Sequence, residues 1–241
     1  MRFRPFRIKQ TGSYSYFYLP HVEDSGIIHG FCTKTALPPA SQPGAGDAFL
    51  SAFSFHDCIA MEQAHSDGIH VIREDADAPV PRTGDGLIMM QKGVAGIIRT
   101  ADCVPVIVCE ARSRMAAIVH AGWRGTVLGI AGKAVRMMVE LGAELSLMQA
   151  LIGPCIGPCC YEIGRDVATL FSDDGFSERV VAERDGSFFV DLRKANAEDL
   201  KAAGVKHVEI LDLCTRCNQD LFFSARRNES GRQFSFAAVI A

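Results

Sequence analysis

The sequence predicts an α+β protein, and three observations carry the prediction. Short β-branched runs alternate with turns between residues 94 and 119, which is typical of a meander of strands. The apolar residues then change to helical spacing over residues 127–141. The chain has 241 residues and no Pro/Gly-rich linker near its middle, so we expect one domain over residues 1–241.

The N-terminal third predicts strands separated by loops. We expect strands at residues 14–19, 27–32 and 68–72, and a loosely patterned helix at 49–61. Loops are expected where turn-forming residues are dense. These loops are the Pro-, Gly- and Ala-rich run 35–47 and the acidic run 73–86.

The remainder of the chain has a clearer pattern. The helix over 127–141 has Thr126 as its predicted N-cap and Gly142 just beyond its end. Two further helices are expected at 165–171 and 193–203. The other predicted strands cover residues 94–99, 104–109, 115–119, 147–152, 188–190, 208–211 and 234–240.

Composition and charge exclude several classes of protein. Hydrophobic residues make up 48% and charged residues 22%, which is typical of a globular chain and not of disorder. A net charge of −3 argues against a nucleic-acid binder, whose surface is basic. The sequence has no pattern of a signal peptide or a membrane helix, so we expect a cytoplasmic protein. Nine cysteines in a reducing compartment favour free thiols and metal ligands over disulfides.

Three residues next to turns are candidate metal ligands. They are His65 in EQAHSDG, Cys103 in RTADCVP and His120 in IVHAGWRGT. Imidazole and thiolate suit zinc or copper, and three protein ligands with one open position are typical of catalytic zinc. Such ligands need neighbours that orient them, and Asp102 and Asp67 are the nearest in sequence. The alternative is a buried cysteine and two histidines with satisfied hydrogen bonds.

The segment HAGWRGT predicts an anion site. Gly122 and Gly125 allow close approach of the backbone, the following helix would offer free N–H groups, and Arg124 could bind a phosphate or carboxylate. The alternative is a capped helix with a solvated arginine.

The cysteine-rich segments GPCIGPCCYE and DLCTRCN leave two interpretations open. Cys155, Cys159 or Cys160, Cys214 and Cys217 could form a structural Cys₄ zinc site. The simpler interpretation is that these cysteines are small buried apolar residues.

The motifs TADCVPVIV, HAGWRGT, GPCIGPCCYEIG and DLCTRCNQDLFFSARR, in this order, resemble those of the laccase-domain family, also called multicopper polyphenol oxidase-like or YfiH/PgeF. The resemblance covers the chain from about Glu62 to the C-terminus. It implies that the family's metal-binding His, Cys and His fall on His65, Cys103 and His120. It also implies a compact domain of layered mixed sheets flanked by helices, similar to toxin-type cysteine hydrolases.

The sequence departs from the family pattern at several places. The family's FTTR-type turn reads Phe31-Cys32-Thr33-Lys34, and PPASQPGAGDAF at 38–49 replaces a Ser-Leu-Asn stretch. An Ala-Asp-Ala segment reads Gly84-Asp85-Gly86, and Ala225 takes the place of a tyrosine in FFSARR.

The resemblance implies a metal-dependent purine nucleoside enzyme. The reactions would be phosphorolysis of adenosine, inosine, guanosine or methylthioadenosine, deamination of adenosine, or both. The partners would be a nucleoside and phosphate, with zinc as the favoured metal and copper as the alternative. The expected catalytic residues are Cys103, His120, Arg124 and Asp102, and the expected substrate-binding residues are Gln63, Arg124 and Arg227.

Three alternative functions are considered. A metal-free hydrolase would use Cys103 as nucleophile and His120 as base on an amide such as a peptidoglycan precursor. A copper polyphenol oxidase is disfavoured because the chain has seven histidines and only His65 and His120 lie in the matched motifs. A non-catalytic metal-binding or interaction protein would use the Met-rich segment 138–148 and the C-terminal cysteines.

Overall fold

The computed structural model describes residues 6–36, 45–74 and 83–240 of the chain. In these ranges fifteen strands form three sheets, and six α-helices accompany them. The strands are β1 (Arg7–Thr11), β2 (Tyr14–Tyr18), β3 (Ile27–Cys32), β4 (Asp57–Ala60), β5 (Ile69–Ile72), β6 (Gly86–Met89), β7 (Val94–Thr100), β8 (Val104–Glu110), β9 (Met115–Ala121), β10 (Gln149–Ile152), β11 (Glu162–Ile163), β12 (Val181–Arg184), β13 (Ser187–Val190), β14 (His207–Ile210) and β15 (Gln233–Val239). The helices are α1 (Pro20–Glu23), α2 (Ala45–Phe53), α3 (Trp123–Val127), α4 (Ile130–Glu140), α5 (Arg165–Asp173) and α6 (Leu192–Ala202).

Two six-stranded sheets form the centre of the molecule. The first has the strand order β1-β2-β3-β15-β7-β4, and the second has the order β14-β10-β8-β9-β6-β5. Most pairs are antiparallel, but β4 runs parallel to β7, β5 to β6, and β10 to β14. A small third sheet has the order β11-β13-β12.

Alternation along the strands explains how the sheets form layers. On β15, Phe236 and Ala238 face an outer aromatic cluster under α2, whereas Ala237 and Val239 face the second sheet. The other face of the second sheet packs against α4 and α6. Met138 and Met148 are fully buried in that core, so the Met-rich segment serves packing.

The expected α+β class is confirmed, but two details of the predicted elements are wrong. The predicted helix at 49–61 is only half helical, because Ser54 adopts a left-handed backbone (φ 56°) after α2 and residues 57–60 pair with β7 instead. The helix expected at 127–141 is split at Gly129, whose φ of 66° is also left-handed. Thr126 is therefore no N-cap of that helix: it lies inside α3, where its hydroxyl accepts a hydrogen bond from Asn196.

Other expectations about the elements are confirmed or fall outside the described ranges. Gly142 follows the end of α4 as predicted, with a φ of 99° that suits glycine. The loops expected at 35–47 and 73–86 lie partly outside the described residues. The first loop ends earlier than predicted, because α2 already begins at Ala45. Similarity to toxin-type cysteine hydrolases stays a prediction. Within the described ranges, no helix is both long and apolar enough to cross a membrane.

Candidate metal centre

Strand pairing brings two buried polar residues together where the strands β9 and β6 of the second sheet meet the loops at one end of that sheet. His120, near the end of β9, lies opposite Pro105 of β8. The preceding residue, Val119, pairs with Gly86 of β6. Asp85 precedes Gly86 and therefore faces His120, whose backbone N–H donates to the Asp85 carbonyl at 2.6 Å.

The three predicted metal ligands meet at this end of the sheet although they are far apart in sequence. His65 lies between β4 and β5, Cys103 lies between β7 and β8, and His120 lies on β9. Their ligand atoms lie within 4.8 Å of one another. The Cys103 Sγ is 4.0 Å from the His65 Nε2, and the two imidazole rings meet edge to face. His120 is buried, Cys103 is half-buried and His65 is exposed, so the group opens towards solvent on one side.

Asp85 is fully buried and holds two of the three ligands in place. One carboxylate oxygen lies 2.8 Å from the His120 Nδ1, which leaves the Nε2 of that ring free to face the group. The carboxylate also accepts backbone N–H groups from Ala64, His65 and Ser66. These bonds support the left-handed backbone of His65 (φ 57°), a conformation that costs about 1 kcal/mol or more for a non-glycine residue.

The electrostatics of the group favour a thiolate. Burial acts to raise the pKa of Cys103, but hydrogen bonding to His120 and His65 outweighs it and lowers that pKa to about 7. Burial acts to lower the pKa of His120, but its bonds to Asp85 and Cys103 raise that pKa to about 9. Burial acts to raise the pKa of Asp85, but its hydrogen bonds with His120 and Ser66 together outweigh burial and hold that pKa well below its usual range. The thiol proton is therefore easily lost, as metal coordination requires.

The group opens into a cleft of about 510 Å³ with a cationic and aromatic lining. Four arginines line this cleft, although the chain as a whole has a net charge of −3. They are Arg99, Arg124, Arg226 and Arg232. Two aromatic side chains also line it, and each lies against one of these arginines. Arg124 stacks over Trp123 at 4.3 Å, and Arg226 lies 5.2 Å from the ring centre of Tyr161.

The structure places Arg124 and Gln63 in this cleft, as the sequence predicts for substrate contacts. The Gln63 amide is already engaged, because it donates to the Arg99 carbonyl at 2.8 Å and accepts the Arg99 N–H at 2.9 Å. Through these two hydrogen bonds Gln63 holds the segment before His65 against the end of β7.

Asp102 lines the same cleft but does not orient a metal ligand. Its carboxylate accepts hydrogen bonds from the Thr215 hydroxyl at 2.6 Å, the Ser224 hydroxyl at 3.0 Å and the Arg226 N–H at 2.8 Å. Asp102 therefore ties the turn that carries Cys103 to the C-terminal loop, and Asp85 has the orienting role that we expected for Asp102.

Two other expected residues are used elsewhere. Arg227 is not part of the cleft lining, because its guanidinium binds the Thr215 carbonyl and the Glu229 carboxylate. Asp67 pairs with Lys133 on the surface at 2.6 Å and does not contact the histidines. The neighbouring Arg226 takes the cleft position that we had assigned to Arg227.

The chemistry of the donor set fits a divalent metal. Two imidazole nitrogens and one readily ionised thiol suit zinc or copper, and the buried carboxylate on His120 is the usual support for such a ligand. All seven histidines lie in the described ranges, and the group formed by His65, Cys103 and His120 is the only close metal-binding group there that contains a histidine. A cluster of several coppers, which needs many imidazoles, does not fit.

Sequence reasoning missed most of the residues that complete the site. Asp85 had a visible signal, since it stands in Gly84-Asp85-Gly86 directly before a strand. The other missed residues line the cleft from distant parts of the chain: Arg99, Trp123, Tyr161, Arg226 and Arg232. All but Arg232 stand in the quoted motifs, but the motifs alone do not show that these side chains meet in one cleft.

Fold and site together define an α+β protein with a His–Cys–His centre in a cationic cleft. The chain belongs to the family described as multi-copper polyphenol oxidoreductase laccase, whose family model matches residues 47–240. The recognition made from the motifs is thereby confirmed.

Curated relatives and solved structures agree with this assignment. A protein named adenosine deaminase, from an unknown prokaryotic organism, is 36% identical over 74% of this chain and 74% of its own length. A purine nucleoside phosphorylase of Deinococcus radiodurans is 35% identical over 84% of this chain and 77% of its own length. The crystal structure of YlmD from Geobacillus stearothermophilus, 26% identical, superposes with a TM-score of 0.84 over 99% of this chain and all of that one. The expectation of an enzyme of this type is thus confirmed at the level of the family.

Proposed function

We propose that this chain is a metal-dependent purine nucleoside enzyme that catalyses phosphorolysis of nucleosides, deamination of adenosine, or both. The observation that carries the proposal is the position of the His65–Cys103–His120 group at the base of a cleft with four arginines and two aromatic rings. A cleft of about 510 Å³ is of the size that holds a small ligand such as a nucleoside. The names of the relatives, adenosine deaminase and purine nucleoside phosphorylase, support the same class of substrate.

The arginines supply the charge that phosphate needs. In phosphorolysis a phosphate oxygen forms a bond to the ribose C1′ while the bond from C1′ to the purine nitrogen breaks. Arg124 is the best candidate for the phosphate contact, because its stacking on Trp123 fixes the guanidinium at the cleft wall. Trp123 and Tyr161 line the cleft, each with an arginine against one ring face, and a purine could stack on a ring or on the guanidinium plane beside it.

The residues of the centre hold the metal and control protons. Cys103 would bind as a thiolate, and Asp85 keeps the Nδ1 side of His120 engaged so that the Nε2 faces the ligand group. A zinc ion bound there would supply Lewis acidity, for deamination at C6 of adenine as much as for phosphorolysis. Copper is the alternative metal for the same ligands.

The experiment is an assay with product identification. Purified protein is incubated with adenosine and phosphate, with and without chelator, and the products are separated. Adenine would report phosphorolysis, and inosine would report deamination. We expect the chelator to inhibit whichever of these activities the protein has. The variant His120→Ala should lose metal and turnover together, whereas His207→Ala, on exposed β14, should keep both. Full turnover by metal-free His120→Ala protein would contradict the proposal.

A second function is favoured by one specific observation. Asp85, His120 and Cys103 are linked in the order carboxylate, imidazole and thiol, which is the arrangement of a metal-free cysteine hydrolase. Such an enzyme would act on an amide, for example in a peptidoglycan precursor. Turnover of that amide that survives chelator and is abolished in Cys103→Ser would support this alternative. In this hydrolase His65 would act only by helping to lower the pKa of Cys103, so His65→Ala would shift the pH profile of turnover upwards without abolishing turnover.

A further inference from the structure

A second group of potential metal ligands lies outside the cleft, and the proposed function does not use it. It consists of four cysteines, Cys159, Cys160, Cys214 and Cys217, which we call the thiol cluster. Their four sulfur atoms all lie within 4.8 Å of one another. Cys214 is buried, Cys160 is half-buried, and Cys159 and Cys217 are exposed, so an ion could reach the cluster from solvent.

Strand pairing explains why these two distant segments meet. Strands β10 and β14 run parallel, so the loops that follow them leave the sheet at the same end of the two strands. The loop after β10 carries Cys159 and Cys160, and the loop after β14 carries Cys214 and Cys217. The backbones of the two loops pair in parallel at Cys155 and Cys214, whose thiols are free. The Thr215 N–H donates to the Cys155 carbonyl at 2.9 Å.

The distances between the sulfur atoms fit one tetrahedral ion better than a disulfide. Zinc–sulfur bonds of about 2.3 Å in a tetrahedron place neighbouring sulfur atoms roughly 3.8 Å apart. The Cys217 sulfur lies 3.4 Å from that of Cys160 and 3.7 Å from that of Cys159. One disulfide could join Cys217 to only one of these two partners, whereas a shared ion accounts for both approaches.

The backbone around the cluster is arranged to accept charged sulfur. The Gly157 N–H donates to the Cys214 sulfur at 3.2 Å, a contact that stabilises a thiolate. A Cβ atom on Gly157 would lie 3.3 Å from the Cys159 sulfur, so glycine permits this close approach. Arg216 is next to Cys217 in the chain, and its guanidinium supplies positive charge beside the cluster.

We propose that Cys159, Cys160, Cys214 and Cys217 bind one zinc ion as a structural tetrathiolate site. Four thiolates and Zn²⁺ leave a net charge of −2, which Arg216 and the Gly157 N–H partly balance. With four protein ligands the ion keeps no open position, so the site is structural and not catalytic.

The zinc would stabilise one wall of the cleft. The loop after β10 reaches Asp102 through the Ile156 N–H, and the loop after β14 reaches it through the Thr215 hydroxyl. Asp102 is next to Cys103 in the chain. Fixing the two loops to each other therefore fixes the turn that carries a ligand of the metal centre.

The experiment counts zinc in protein purified under a phosphine reductant, which keeps thiols reduced without binding the metal strongly. We expect two zinc ions per chain in the wild type, one in His120→Ala and one in Cys217→Ser. The matched control Cys58→Ser, which removes a half-buried thiol on β4, should keep two. Two zinc ions retained by Cys217→Ser would overturn the proposal, as would a wild-type chain with a single zinc that His120→Ala removes.

A second measurement keeps the proposal testable if Cys217→Ser does not fold. X-ray absorption at the zinc edge of His120→Ala protein should show four sulfur ligands at about 2.3 Å, and cobalt substitution should give intense thiolate charge-transfer bands. Nitrogen or oxygen ligands, or an intact mass that shows a disulfide in the reduced preparation, would refute a tetrathiolate site. None of these results depends on nucleoside turnover, so this inference and the proposed function can fail separately.

Discussion

A single buried carboxylate connects the parts of the metal centre. Asp85 binds the His120 ring and three successive N–H groups of the loop that carries His65. It therefore sets the orientation of one ligand and the backbone conformation of another, while the third ligand, Cys103, comes from a separate turn. Removing the charge of Asp85 should disturb both histidines at once.

We predict that Asp85→Asn lowers the affinity of the centre for zinc by roughly 10- to 100-fold, the range that is common for partners of metal-bound histidines. Turnover at limiting zinc should fall with it. The measurement is competition for zinc against a chromophoric chelator. The control is Asp67→Asn, which removes a surface carboxylate paired with Lys133 and should leave the affinity unchanged. Equal affinity in Asp85→Asn and wild type would show that Asp85 does not support the centre.

Gly122 provides a second test of the same residues. A Cβ atom there would lie 3.0 Å from the His65 ring and 3.1 Å from the Cys103 sulfur, although the backbone itself would accept alanine. We predict that Gly122→Ala weakens zinc binding about ten-fold by displacing these two ligands. The control is Gly46→Ala, where a Cβ meets no atom within 4 Å. Unchanged zinc affinity in Gly122→Ala would mean that the ligands move aside without cost.

At this scale the sequence predicts ligands better than it predicts their surroundings. His65, Cys103 and His120 follow from the motifs, because each stands in a segment of recognisable pattern. The partners follow from strand register and loop packing, which sequence proximity does not reveal. Asp102 and Asp67 are near the ligands in sequence, yet the carboxylate that contacts a ligand is Asp85, which lies 35 residues from His120.

Elements of the fold were predicted well where one residue pattern extends over a whole element. The strands β7, β8 and β9 and the helix α6 are of this kind. Prediction failed where a single backbone conformation interrupts a continuous apolar pattern, as at Ser54 after α2 and at Gly129 between α3 and α4. Apolar residues stand on both sides of each break, such as Phe49 and Phe55 around Ser54, so their spacing alone does not reveal the break.

One contact between elements should make stability depend on pH. His29 of β3 is buried, accepts the Leu19 N–H at the start of α1 and donates to the Ile27 carbonyl. Burial lowers the pKa of His29 from 6.5 to about 4. Between these values the unfolded chain holds a proton that the folded chain does not, so the free energy of unfolding falls as the pH drops from about 6.5 to about 4.

We predict that His29 contributes up to about 3 kcal/mol to this loss of stability. Chemical denaturation of metal-free protein at several pH values measures it. In His29→Gln the slope over this window should be smaller by about 1.4 kcal/mol per pH unit. The variant His207→Gln, at an exposed position on β14, should keep the wild-type slope. A wild-type slope in His29→Gln would assign the pH dependence to other groups.

On the scale of the whole molecule, the two large sheets share one apolar layer. That layer contains residues of β3, β7 and β15 from the first sheet and of β6, β8, β9 and β10 from the second. Neither sheet could bury its inner face alone, which is the physical reason to expect a single folding unit.

We propose that the chain unfolds as one domain over residues 1–241. Calorimetry should give one transition, with a calorimetric enthalpy equal to the van't Hoff value. The substitution Ile98→Ala, in the layer between the sheets, should lower the free energy of unfolding by about 2–5 kcal/mol and move the whole transition to lower temperature. The exposed Ile8→Ala should change it by less than about 1 kcal/mol. Two resolved transitions, only one of which responds to Ile98→Ala, would mean two units.

The central claim is that His65, Cys103 and His120 hold one metal ion at the base of the cleft. Anomalous diffraction from crystals of zinc-loaded protein, collected on both sides of the zinc edge, tests it most directly. We predict a peak at about 2.0–2.3 Å from the two imidazole Nε2 atoms and the Cys103 sulfur, lost in His120→Ala crystals. Zinc-loaded crystals with no peak between these three residues, from protein that still turns over nucleosides, would contradict the account.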